Sequence, residues 1–114
     1  MGLTMKVSGQ VIGPEEIEAA LRIHPAVAQV CVFAEAHPVQ GDCPTAVIEL
    51  VDGWVGNREL KGELSRIAKA HLARFAYPRR VLFHDIPRNS SGKIDRAATR
   101  ETYRKDLIAK GEEE

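Results

Sequence analysis

Apolar residues recur at helical spacing in three segments of the chain and run nearly unbroken in two others. Ile17, Ala20 and Leu21 share one face of a helix opened by Gly13-Pro14-Glu15-Glu16. Proline suits the first helical position because its missing N–H would be unpaired there, and the glutamates lie at the positive end of the dipole. His24-Pro25 ends this helix. Asn57 is placed to cap a longer helix whose apolar positions are Leu60, Leu64, Ile67, Ala68, His71, Leu72 and Phe75, broken at Tyr77-Pro78. His71 on that face is expected to be a partly buried core histidine. A third helix is predicted over Asp95–Lys110, with Thr99, Tyr103 and Leu107 on one stripe.

Val27–Ala34 and Thr45–Val51 are rich in β-branched and small apolar residues and predict two antiparallel strands. Between them, His37–Pro44 carries Pro38, Gly41 and Pro44 and predicts a loop. Arg80–His84 predicts a third short strand, and Lys6–Ile12 a hairpin turning at Ser8-Gly9-Gln10. The expected fold is α+β: a short N-terminal hairpin, then a small three-stranded sheet with helices packed over one face. Residues 6–110 form the domain in this reading. Residues 1–5 are a cloning remnant or the end of a hinge, and 111–114 a frayed acidic tail after Gly111.

With 114 residues there is room for one small domain, and 44% hydrophobic with 28% charged residues is a globular balance. The formal net charge is zero, so no overall field draws the chain to nucleic acid or an acidic membrane. No apolar run approaches the length of a spanning helix or a signal peptide, and two cysteines cannot build a disulfide scaffold; the expectation is a cytoplasmic protein with reduced thiols. Cys31 and Cys43, twelve residues apart, have no metal-ligand spacing. Neutrality hides an asymmetry: residues 1–57 sum to −5 and residues 58–114 to +5. Within 79–105, eight basic residues face three acidic ones, either as a solvated face or as a surface that meets an anion. An RNA-binding reading of that stretch lacks aromatic stacking residues on the strands.

The segment Pro87-Arg88-Asn89-Ser90-Ser91-Gly92-Lys93-Ile94-Asp95-Arg96 carries the most chemical information. Its Gly-Lys is not a phosphate loop, because Pro87 stands where the first glycine belongs and Ile94 where Ser or Thr belongs. It does present one lysine beside a glycine on a short polar loop. A mobile ammonium held away from the domain body is useful where negative charge develops transiently on phosphoryl or carboxylate oxygens.

Together with Ser8-Gly9-Gln10-Val11-Ile12-Gly13-Pro14-Glu15-Glu16-Ile17-Glu18, His24-Pro25-Ala26-Val27 and Tyr77-Pro78-Arg79-Arg80, this segment resembles the C-terminal domain of the adenylate-forming enzymes. That superfamily comprises acyl-CoA synthetases, adenylation domains of nonribosomal peptide synthetases, and beetle luciferase. The four motifs stand in the family's order across residues 6–104. The resemblance implies a lid that closes over a large N-terminal domain binding ATP, with Mg2+, and a carboxylic acid. It assigns Lys93 as the catalytic lysine of acyl-adenylate formation, presented by Ser91 and Gly92. It assigns Ser8, Gly9 and Gln10 as the hairpin facing CoA or phosphopantetheine during thioester formation, where a residue without Cβ leaves room for the pantetheine arm.

Three departures qualify the match. The family's charged hinge would fall at Gly2 and Leu3, position 11 is Val11 where Arg or Lys is frequent, and the ATP-binding domain is absent from these 114 residues. The isolated chain is therefore expected to bind no cofactor and adenylate nothing, its partner being that N-terminal domain. An acyl- or aryl-CoA ligase lid is the leading reading. The lid of a peptide-synthetase module loading a carrier protein, and a free-standing interaction or regulatory module of the same fold, are the alternatives.

Overall fold

A computed structural model describes residues 4–7, 9–37 and 41–110, except the side chains of Ala36, His37, Phe75 and 104–110. The elements run β1 (Met5–Val7), β2 (Gln10–Ile12), α1 (Pro14–Leu21), β3 (Val27–His37), β4 (Gly41–Leu50), α2 (Arg58–His71), β5 (Arg80–Phe83) and α3 (Arg96–Lys110). The α+β expectation and the opening hairpin stand. The sheet is larger than expected, with five strands in one mixed sheet rather than three plus a separate hairpin.

β4 is the strand that gathers the others. Along one side it pairs antiparallel with β3 from Leu50 back to Gly41. Along the other it meets β1 at Gly41 and β5, in parallel, from Thr45 to Ile48. Lys6 N–H donates to Asp42 Oδ2 at 2.9 Å, which fastens the hairpin to the start of β4.

β4 begins at Gly41, not at Thr45, and so takes in much of the expected loop 37–44; residues 38–40 lie outside the described residues. Pro44 is tolerated inside the strand because it faces away from the β3 ladder. Its carbonyl accepts Arg79 N–H at 2.8 Å on the β5 side, so its missing N–H costs the β3 pairing nothing.

The helices cover both faces, which corrects the one-face expectation. Alternation along β3 and β4 explains why. Val30, Val32, Ala46 and Ile48 point to the face where Ile17 and Leu21 of α1 and Leu60, Leu64 and Ala68 of α2 pack. Cys31, Phe33 and Val47 point to the other, against Ile86, Leu82, Ile94 and Tyr103. A strand buried on both faces appears as a continuous apolar run.

α2 starts as expected, with the Asn57 side chain accepting Leu60 N–H at 2.9 Å. It stops at His71, short of Tyr77, because Leu72 turns to an extended backbone and carries its side chain into the core; a 3-10 turn at Arg74–Ala76 follows. Leu60, Leu64 and Ala68 set the buried stripe, and His71 falls off it and is exposed, correcting its assignment to the core. On α3, Thr99 is buried and Tyr103 half-buried, whereas the side chain of Leu107 lies outside the described residues.

The open edge of β3 is closed by charge. Glu18 is buried, and its Oε2 accepts Val32 N–H at 2.8 Å. Arg96 donates to that same carboxylate and to Val32 C=O at 2.6 Å, while Arg100 Nε donates to Ala34 C=O at 2.8 Å. Backbone groups that would otherwise template pairing with another chain are thus satisfied by side chains of α1 and α3.

Candidate functional site

The segment 87–95 is a tightly tied turn. Its feet are joined by Asp95 N–H to Pro87 C=O at 3.0 Å and by an antiparallel bridge between Arg88 and Ile94. Asn89 N–H donates to Lys93 C=O at 2.8 Å and Gly92 N–H to Asn89 C=O at 2.9 Å. Asn89 Oδ1 accepts from both Ser91 N–H at 2.9 Å and Lys93 N–H at 3.1 Å. Gly92 sits at φ +83°, the left-handed region that the reversal demands and that glycine adopts without penalty. Past the turn, Asp95 opens α3, its Oδ1 accepting Ala98 N–H at 3.0 Å.

Lys93 is exposed at the end of this frame, and among the described residues no carboxylate pairs with its ammonium. Ser91 and Gly92 are exposed beside it. Two guanidinium anchors flank the turn. Arg88 grips Glu49 of β4 through Nη1 at 2.8 Å and Nη2 at 3.1 Å, and Nη1 also donates to Ile86 C=O. Arg96 is locked under Glu18; burial works against its charge, and the Glu18 bond and field, together with Cys31 and Glu15, more than offset it.

The Arg88 bond holds the Glu49 carboxyl below its usual range, against the opposing effect of partial burial, and Ile86 N–H adds to it at 2.6 Å. A carboxylate depressed in the folded state contributes stability above its unfolded pKa of about 4.3, and that contribution disappears as pH falls through the folded value. Glu49→Gln is therefore expected to lower the melting temperature at pH 7, with the gap from wild type closing below pH ~4. Paired thermal melts across that range check it; a gap that stays constant with pH would contradict the ionic role.

The hairpin places Gly9 at its tip with φ +82° and Gln10 beside it, both exposed; Ser8 lies outside the described residues. A Cβ built on Gly9 meets no atom within 4 Å, so nothing inside this domain requires the space to stay empty. Val11 is 65% exposed, an apolar side chain on the outer hairpin strand.

The structure does not bring these two elements together. The hairpin is fastened at Gly41 and the lysine turn at Glu49, eight residues apart on β4. At the rise of an extended strand that separates the anchors by about 26 Å. Burial raises the thiols of Cys31 and Cys43, and both cysteines are free and buried. Among the described residues no group of three or more His, Cys, Asp or Glu is placed to hold a metal ion.

Residues 16–93 match the family described as the AMP-binding enzyme C-terminal domain. The chain belongs to that family. It is 40% identical over 90 residues to the acetyl-coenzyme A synthetase of Bacillus subtilis, covering 78% of this chain and 16% of that protein. To the human mitochondrial acyl-coenzyme A synthetase ACSM2A it is 36% identical over 97 residues, covering 82% of this chain and 17% of that one. The crystal structure of a Brucella canis acyl-CoA synthetase superposes with a TM-score of 0.80 at 34% identity, over 96% of this chain and 20% of that one. The chain thus spans about a sixth of the length of these curated relatives. No helix among the described residues is long and apolar enough to cross a membrane.

Sequence reasoning missed Asn89, Glu49 and Glu18 as parts of the site. Asn89 had a local signal, since Asn three residues before a glycine favours a side-chain-closed turn. The partners of Glu18 and Glu49 lie 78 and 39 residues away along the chain, where no local pattern reaches.

Proposed function

We propose that residues 6–110 are the C-terminal lid of an AMP-forming acyl- or aryl-CoA ligase, working against an N-terminal domain that binds ATP and a carboxylic acid. In the adenylation step a carboxylate oxygen attacks the α-phosphorus of ATP, the bond to the β-phosphate bridge breaks, and pyrophosphate leaves. Negative charge builds on the oxygens around phosphorus, and the exposed ammonium of Lys93 is free to meet it. The observation that carries this reading is an exposed lysine, with no carboxylate partner among the described residues, at the end of a tightly bonded turn. Preorganised charge of this kind acts without reorganisation cost at the moment of reaction.

The separation of hairpin and lysine turn along β4 supports a second step made by the same lid after rotation. One orientation presents Lys93 for adenylation, the other presents Gly9 and Gln10 for attack of a thiol on the acyl-adenylate. CoA is the favoured acceptor because the named relatives are acetyl- and acyl-coenzyme A synthetases. A carrier-protein phosphopantetheine would use the same hairpin. The Mg2+ accompanying ATP finds no cluster of His, Cys, Asp or Glu ligands among the described residues of this domain.

The two-domain protein should catalyse carboxylate-dependent exchange of pyrophosphate into ATP, and this chain alone should not. Exchange by the isolated chain, or its absence from the two-domain protein over a broad panel of acids, would contradict the proposal. Gly9→Leu is expected to slow thioester formation from supplied acyl-adenylate by more than about tenfold while sparing exchange, since misplacement at a reacting centre is costly. Gly9 stands at φ +82°, where any side chain strains the backbone, so Gly9→Ala is run alongside: it carries the same strain without the bulk, and a loss specific to leucine reports a partner that fills the open space. Selective loss of exchange instead would reverse the hairpin's assignment.

A further inference from the structure

We propose that Arg88 and Glu49 form a positioning pair that aims Lys93, so that the arm carrying the catalytic ammonium is set in direction before the lid closes. The inference rests on the adenylation role of Lys93 proposed above. The bonds around Asn89 fix the internal shape of the turn but not its direction relative to the sheet. Direction comes from its two feet. The outgoing foot passes into α3, whose first residue, Arg96, is held by Glu18 and by Val32 C=O. The incoming foot is held on two sides: the Tyr103 hydroxyl of α3 donates to Asp85 C=O just before it, and Glu49 accepts two bonds from Arg88 and one from Ile86 N–H.

The chemistry of that grip suits aiming more than stabilising. Arg88 is exposed, and exposed ion pairs contribute little to folding because water screens them and ordering two long side chains opposes them. A planar guanidinium bound through two nitrogens nevertheless fixes an orientation, which a lysine's point charge does not. Arg88 Nη1 also closes back on Ile86 C=O at 2.8 Å, so the fork is tied to the backbone of the foot it directs. Buried Ile86 and half-buried Leu82 below it give the foot a fixed base on the sheet.

The first measurement is backbone 15N relaxation on the 114-residue chain. Wild type should show Gly92 and Lys93 near the order parameter of rigid backbone, about 0.85, and Arg88→Met should drop both below about 0.6. Arg88→Lys, which keeps the charge and loses the fork, should fall between, and neither variant should lower the melting temperature by more than Glu49→Gln does, so the fall in order is local and not global unfolding. Order at Gly92 and Lys93 that survives Arg88→Met overturns the proposal. The second measurement is kinetic, in the two-domain ligase. Arg88→Met should lower kcat for adenylation by about 10- to 100-fold with KM for ATP and acid unchanged, and leave thioester formation from supplied acyl-adenylate intact. Equal loss in both half-reactions would mean structural damage alone and sink the positioning role. Lys93→Ala run alongside separates the two claims: if that variant still adenylates at the wild-type rate, the failure belongs to the functional reading of Lys93 and not to the aiming pair.

Discussion

Lys93→Ala is expected to reduce carboxylate-dependent ATP–pyrophosphate exchange in the two-domain ligase by about 10²–10³, the typical effect of deleting one preorganised donor at a charge-developing centre. The turn should keep its shape in this variant. Its internal bonds use the main chain of Lys93 and the side chain of Asn89, and none uses the Lys93 ammonium. Melting temperature should therefore match wild type, and under the proposed two-orientation lid thioester formation from supplied acyl-adenylate should match it as well. Loss of exchange with no loss of stability is the signature that separates a missing charge from a damaged fold. A similar loss in both half-reactions would remove Lys93 from a role specific to adenylation.

The second large effect concerns the fold. Arg96→Met should destabilise the domain by about 3 kcal/mol, because deleting one member of a buried ion pair strands the other charge in a site it entered only as a pair. Glu18 is the group stranded. It is 5% exposed, and among the described residues its remaining hydrogen-bond partner is Val32 N–H. Since small domains are stable by about 5–15 kcal/mol in total, this corresponds to a melting temperature lower by roughly 10 °C or more. Removing both charges with Glu18→Met and Arg96→Met should cost less than the sum of the single changes, since the double variant leaves neither charge unpaired. Thermal or urea unfolding of the four proteins reads this directly. A single Arg96→Met variant within a degree or two of wild type would mean that the pair is not a fastening point between α1, β3 and α3.

What could be read in the sequence and what could not divides along the range of the interactions. Pro14 at the first turn of α1, Asn57 at the cap of α2 and the hairpin around Gly9 are local arrangements, set by residues within four positions of each other, and all three stand in the fold. The turn residues around Gly92-Lys93 were legible for the same reason. The start of β4 was not. Pro44 argues against a strand on local grounds, and it is tolerated because its carbonyl meets Arg79, 35 residues later, on the side where no amide proton is needed for the β3 ladder. The end of α2 was missed in the opposite sense: apolar spacing continues to Phe75, but Leu72 reaches the core by leaving the helix. The covering of both faces of the sheet was present in the unbroken apolar runs of Val30–Phe33 and Ala46–Ile48, whose alternate residues need two separate partners. Glu49 and Glu18 carry no local mark at all. A glutamate in a strand and one on a helix resemble any solvated pair until the chain brings Arg88 and Arg96 beside them.

The measurement closest to the central claim restores the charge rather than removing it. Lys93→Cys in the two-domain ligase should be as poor in ATP–pyrophosphate exchange as Lys93→Ala. Alkylating the introduced thiol with 2-bromoethylamine rebuilds an ammonium on a chain of nearly lysine length. Within this domain the reagent is directed to that position, because Cys31 and Cys43 are buried and burial raises their thiol pKa values. Recovery of exchange on alkylation, with thioester formation unchanged throughout, is the predicted result. Full exchange activity in the unmodified Lys93→Cys protein, or no recovery once the ammonium is back, would contradict a catalytic cation at the tip of this turn.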